Sequence, residues 1–349
     1  MLSLLQVYRG FAAVLVVLYH ASEMTDAFFG DPSFYRVFYF GQAGVQFFFV
    51  LSGFIIYYIH RRDVGRPAQL IPYAQKRAVR IYPVYILITL ALAPFWLLGL
   101  GEPYHHSMSA LISSLLLIPQ SHYPHLGVAW TLVHEMLFYV FFATFIVSRQ
   151  AGRIALAVWF SAIIVANLLL QAELPMPASY FLSVNNLLFG LGMLAAYIVT
   201  QRPHWLRHGM TLFVLGNLGF LAVGMLANQL RAPAGFPYAL TALLFGLASF
   251  AIILQSTHPQ INAALGRRKL LLLLGNASYS IYLIHVPVLS FAGKVILKVG
   301  LAMPPAVEFA GTALLAVLAG IALHFLVEKP LLRYFRPTTP QPLKDLRNA

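Results

Sequence analysis

Residues 2–22, LSLLQVYRGFAAVLVVLYHAS, form an apolar run long enough to cross a bilayer, and nine more runs of that kind follow it. A helix needs about 18–25 apolar residues to span the hydrocarbon layer. The runs fall near residues 3–22, 41–60, 82–101, 128–147, 154–171, 180–200, 208–228, 236–255, 272–293 and 305–327. Inside lipid every backbone N–H and C=O must be satisfied within the protein, so such runs become helices. The expected fold is therefore all-α, a polytopic membrane protein of about ten transmembrane helices. Residues 110–118 (ALISSLLLI) are apolar but too short to span, and read as a re-entrant or interfacial helix.

The charges orient the chain. Of 349 residues, 60% are hydrophobic and 9% charged, and the formal net charge is +13. That excess of cations does not point to nucleic acid, because it sits in the short segments between apolar runs, where topology calls for it. With the N-terminus cytoplasmic, eighteen Lys and Arg fall on the cytoplasmic side and only Arg36, Arg231, Lys294 and Lys298 on the other. The C-terminus is then cytoplasmic too. One domain is expected over residues 1–336, followed by a short disordered cytoplasmic tail at 337–349 with no further domain. The first run is too long, and lacks the basic start, for a cleavable signal peptide. The absence of cysteine excludes thiolate metal sites and a cysteine acyl-enzyme.

Arg9 alone remains inside a span, and His20 follows it eleven residues later. Eleven residues at about 100° each return the helix to within about 20° of the same face, and place the two side chains roughly 16 Å apart in depth. A guanidinium in the membrane costs on the order of 2.5–3.5 kcal/mol by insertion scales, so it faces protein or water and marks function. His20, nearer the outside, can take a proton from an attacking hydroxyl and return one to a leaving group. Glu135, in WTLVHEMLFY, sits in the same outer half of the membrane and reads either as a structural partner or as the carboxylate that orients His20. Its neighbour His134 faces elsewhere on the helix and reads as structural.

Other residues have weaker readings. Arg77 and Arg80, in KRAVRIYP, share a face three residues apart, with Pro83 as the expected start of the third span. Paired guanidinium groups there suit the phosphates of a nucleotide-bearing cosubstrate. Ser52, in FFFVLSGF, lacks the flanks of a nucleophile elbow. With Gly53, Gly41, Gly44, Gly190 and Gly192 it reads as a point of close helix approach, or as one where a substrate passes near the backbone. His105, His106, His122 and His125 lack the carboxylate and thiolate company of a metal site, so no metal is expected, and acceptor contacts or interfacial exposure suit them better. Asn276, Ser278, Tyr279, Tyr282 and His285 in the ninth run imply a cavity or interhelical hydrogen bonds. Glu328 reads as an interfacial partner of Lys329.

Arg9-x10-His20, FFFVLSGF at 47–54, KRAVRIYP at 76–83, WTLVHEMLFY at 130–139, ASYSIYLIH at 277–285 and VEKP at 327–330 together resemble the acyltransferase 3 family. These are integral membrane acyltransferases that modify bacterial cell-surface carbohydrates. The resemblance implies a ten-helix architecture in the cell inner membrane. It implies an acyl-CoA donor, usually acetyl-CoA, on the cytoplasmic side, with no permanently bound cofactor. The implied acceptor is a hydroxyl of a polysaccharide, lipid-linked glycan or glycolipid. It implies a functional pair in Arg9 and His20, and carries the arginines before the third span onto Arg77 and Arg80. The joint expectation assigns His20 and Glu135 to catalysis, and Arg9, Arg77 and Arg80 to the donor. The rival from another class is a proton-coupled transporter or flippase for a glycan or lipid, which also uses buried Arg, His and Glu.

Overall fold

A computed structural model of the protein describes residues 2–99, 103–170, 174–230, 236–301 and 303–335, and the regular structure among those residues is helical, with no strand. The expected tail at 337–349 lies outside the described residues. Ten principal helices follow the ten apolar runs: α1 (Ser3–Phe29), α2 (Gly44–His60), α3 (Leu70–Leu97), α4 (Trp130–Val147) and α5 (Arg149–Ile164), then α6 (Asn185–Gln201), α7 (Gly209–Leu230), α8 (Phe236–Ile253), α9 (Lys269–Val299) and α10 (Pro305–Leu323). Among the described residues nine helical segments are long and apolar enough to cross a membrane; the apolar part of α8, Tyr238–Ile253, is shorter. The 110–118 segment forms a short helix, Met108–Leu115, whose N-cap Ser107 accepts from the Ala110 N–H.

Glycine ends two long helices. Gly30 after α1 and Gly300 after α9 adopt φ of 70° and 68°, the left-handed conformation that closes a helix without a Cβ penalty. Proline does not end them. The third span begins well before its expected start: α3 runs unbroken through Pro83 and Pro94 from Leu70. The reason is the setting. A proline interrupts one rung of the ladder, and in a bundle neighbouring helices hold the remainder in place. The basic loop therefore shrinks to residues 61–66, and Lys76, Arg77 and Arg80 belong to a helix wall.

Two seams hold the bundle together. In one, α2 lies against α6 at backbone distance: a Cβ on Gly53 would sit 2.0 Å from the Phe189 carbonyl oxygen, and one on Gly192 would sit 1.9 Å from that of Val50. In the other, α1 lies against α9, where a Cβ on Gly275 would meet the Gln6 carbonyl oxygen at 1.9 Å. Without a hydrophobic force between helices in lipid, small residues gain their stabilisation from this close approach. Gly41 and Gly44 likewise abut the α1 backbone at Leu15 and Ala12. His134 is buried and bonded through Nδ1 to Asn186 at 3.0 Å, the structural role its helix position implied.

The cysteine-free sequence makes the orientation directly testable. Single cysteines at Arg62 and at His122 should differ in intact cells. An impermeant thiol reagent should label His122→Cys alone, and labelling of Arg62→Cys alone would invert the topology.

Candidate active site

Five helices and the chain just beyond α10 enclose a cavity of about 560 Å³. Arg9 enters it from α1, Ser52 from α2, Lys76, Arg77 and Arg80 from α3, Glu135 and Tyr139 from α4, and Ser278, Tyr279 and Tyr282 from α9. Val45, Phe48, Phe49, Leu51, Ile55 and Ile56 complete it with apolar surface. Four of the five residues singled out in the sequence, Arg9, Arg77, Arg80 and Glu135, thus meet at one cavity. The polar face of the ninth run also finds its place there, as expected, while Asn276 turns aside to accept from Gln6.

The cations differ in what they already hold. Arg9 donates from Nη1 to Gln6 Oε1 at 3.2 Å. Arg77 lies over the Tyr139 ring, 5.9 Å from its centroid, and its Nε is buried without a hydrogen-bond partner among the described residues. Arg80 is different. Its Nη1 donates to Glu328 Oε1 at 2.7 Å, and its guanidinium lies 5.0 Å from the Tyr279 ring centroid. The expectation of Arg77 and Arg80 as a matched pair is corrected accordingly: they share a wall, but Arg80 is neutralised by Glu328.

Glu328 is also not the interfacial partner of Lys329. It is 1% exposed and receives Ser280 Oγ at 2.7 Å and His324 Nδ1 at 2.8 Å as well as Arg80. A π-helical turn at His324–Glu328 directs both side chains inward. Such single-turn bulges often mark functional sites. Sequence reasoning missed the network because the adjacent lysine offered an easier partner. The signal was His324, one turn before an intramembrane carboxylate.

His20 lies outside this cavity wall. Its Nδ1 is 3.0 Å from Glu23 Oε2, and its ring centroid is 5.1 Å from that of His285. The expected pairing of Glu135 with His20 is not formed. Glu135 instead receives Ser52 Oγ at 3.0 Å and the Tyr139 hydroxyl, while Glu23, three residues along α1, supplies the carboxylate at His20. The i, i+3 spacing of His20 and Glu23 was the available signal. His285 connects the two regions: its ring lies 5.7 Å from Tyr282, whose hydroxyl donates to the Val128 carbonyl at 3.1 Å and meets Thr131 Oγ1 at 2.9 Å on the cavity wall.

The histidines before α4 stack with aromatic rings. His105 stacks on Trp96 and His122 on Tyr104. His125 is buried against Ser114 Oγ and the His105 carbonyl. Burial holds its pKa below the ordinary imidazole value, against the raising effect of the His105 carbonyl. Among the described residues no three His, Asp or Glu side chains are grouped to hold a metal ion.

A membrane-embedded cavity that holds an arginine with an unpartnered Nε on one wall and a hydroxyl–carboxylate pair on another suits transfer of a group from an anionic carrier. The comparisons give that class its name. The acyltransferase 3 family model, described as an acyltransferase domain, matches residues 4–325, and the chain belongs to that family. It is 32% identical to the exopolysaccharide production protein ExoZ of Rhizobium meliloti (strain 1021), over 91% of this chain and 95% of that protein. It is 26% identical to the acyltransferase MdmB of Streptomyces mycarofaciens, over 97% of this chain and 94% of that one. No solved structure matches it. The protein is a multi-pass membrane acyltransferase, and the family decides between transfer and the rival carrier reading.

Glu328→Ala should leave Arg80 without its counter-charge. Removing one partner of a buried pair costs about 3–5 kcal/mol, and the 32% exposure of Arg80 reduces that to about 2 kcal/mol. The thermal midpoint in detergent should fall by roughly 2–4 °C or more. An unchanged midpoint would show that the pair contributes nothing to stability.

Proposed function

We propose that the protein moves an acyl group, acetyl in the first instance, from cytoplasmic acyl-CoA to a hydroxyl of a cell-surface polysaccharide, lipid-linked glycan or glycolipid, and that it does so in the cell inner membrane. The observation that carries this reading is the cavity itself: Arg77 presents a buried, unpartnered Nε at a wall that also holds Lys76 and Arg80. Guanidinium groups bind phosphate oxygens in forked, charge-assisted hydrogen bonds. The donor phosphates would rest near Arg77, with Lys76 adding positive field. The pantetheine arm would lie along the apolar wall past Arg9. ExoZ, by its name a protein of exopolysaccharide production, supports the choice of a carbohydrate acceptor.

His20 is the proposed general base. With Nδ1 donating to Glu23, its Nε2 is the nitrogen left to accept a proton. The acceptor hydroxyl attacks the activated acyl carbon, its proton passes to His20, and the leaving group takes a proton in turn. Glu23 holds the ring and favours the imidazolium that forms, the role a carboxylate plays in hydrolase triads. Glu135, on the cavity wall, acts at the acyl group rather than on His20.

The test is transfer of label from acetyl-CoA to envelope glycans by the purified full-length protein. His20→Ala should lower kcat/KM by about 10²–10⁴-fold with protein yield unchanged, and Arg77→Ala should raise KM for acetyl-CoA more than it lowers kcat. Wild-type-like transfer by His20→Ala removes His20 from the mechanism. An unchanged KM in Arg77→Ala removes the phosphate role.

A further inference from the structure

We propose that Ser52 is a nucleophile that carries the acyl group as a covalent serine ester between donor and acceptor; the inference rests on the acyl-CoA reading above and adds an intermediate to it. A hydroxyl in the middle of a helix has a ready partner in the carbonyl four residues back. Ser249, Thr200 and Thr312 all take it, bonding to Phe245, Ala196 and Glu308. Ser52 directs its proton across the cavity to Glu135 Oε1 instead, at 3.0 Å. Tyr139, one turn along α4, donates to that same oxygen and fixes the carboxylate. A nucleophile, a base within hydrogen-bond reach and a third group that orients the base make up the arrangement of covalent acyl transfer.

The surroundings fit that chemistry. Ser52, Glu135 and Tyr139 all line the cavity proposed for the donor. Gly53, the next residue, is pressed against the Phe189 carbonyl, so the backbone carrying Ser52 has a fixed place. Arg9 lines the same cavity as Glu135. It supplies positive potential where negative charge would develop on the acyl oxygen. The absence of a strand-to-helix elbow, which argues against Ser52 in the sequence, loses force in an all-helical site.

In the first half-reaction Ser52 Oγ attacks the thioester carbon and its proton passes to Glu135. The C–S bond breaks, and the coenzyme A sulfur departs as the thiol with the proton from Glu135. In the second, the acceptor hydroxyl attacks the serine ester as its proton passes to His20, the C–Oγ bond breaks, and His20 returns that proton through solvent to Ser52 Oγ. No oxidant or further reactant is needed. The thioester arm can leave the cavity before the acceptor arrives.

Two measurements on the purified full-length protein test this without any acceptor present. Labelled coenzyme A should exchange into unlabelled acetyl-CoA, because the serine ester can return its acyl group to a new thiol. Acid-quenched peptide mass spectrometry should find one acetyl group on Ser52. Ser52→Ala, if it elutes as the wild type does on size exclusion, should lose exchange and glycan transfer by at least about 100-fold. Glycan labelling by the wild type with neither exchange nor an adduct overturns the serine ester and leaves the proposed function standing. So does an adduct mapped to another residue, or a Ser52→Ala variant that transfers normally. Absence of glycan transfer and of exchange alike overturns the donor assignment, and the inference with it.

Discussion

The contact between Arg80 and Glu328 is the constraint on which the inner architecture depends. A cavity that gathers Arg9, Lys76, Arg77 and Arg80 inside a largely apolar bundle would be strongly cationic without compensation. Glu328, buried and three-fold bonded, places one full negative charge at its edge and ties α3, α9 and the end of α10 together through Arg80, Ser280 and His324. A buried pair of this kind is weak evidence of net stability, because desolvation offsets most of the attraction. Its effect is on arrangement. It neutralises one arginine and leaves its neighbour one turn away open, so that two residues of the same type on the same face come to differ in what they can bind.

On the roles proposed for them, the separation of His20 from Glu135 divides the site into two stations. One is the cationic cavity, with Ser52, Glu135 and Tyr139 at its wall. The other is the His20–Glu23 pair, reached through His285 and Tyr282. A transfer in two half-reactions suits such a layout better than a single collision, because each chemical group then has a step of its own. His285 is fully buried between them, with Nδ1 bonded to the Tyr282 carbonyl at 2.6 Å.

Much of the fold was legible because the membrane leaves a chain few choices. Ten apolar runs became ten principal helices, and of the small residues flagged in the second and sixth runs Gly53 and Gly192 became a backbone-tight seam. The limits were local. Pro83 reads as a helix start in isolation, yet α3 passes through it, because tertiary support in a bundle tolerates a missing rung. The site was partly legible for a related reason: charges inside apolar runs are conspicuous, so Arg9 and Glu135 could be named, and Arg77 and Arg80 stood out by their spacing just before the third run. Their partners could not. Which carboxylate meets which cation depends on helix rotation, and period alone does not fix the rotation of one helix against another. Hence Glu135 was assigned to His20 and Glu328 to Lys329.

The seam between α2 and α6 has a mechanical consequence. Peptide planes already in contact at Gly53 and Gly192 have no slack to slide or tilt, so this side of the cavity behaves as a rigid rail. The wall that carries Lys76, Arg77 and Arg80 is built differently: α3 lacks two rungs of its own ladder, at Pro83 and Pro94, and relies on neighbouring helices there. The cavity thus sets its serine on the most tightly packed wall and three of its four cations on a helix with fewer backbone bonds of its own.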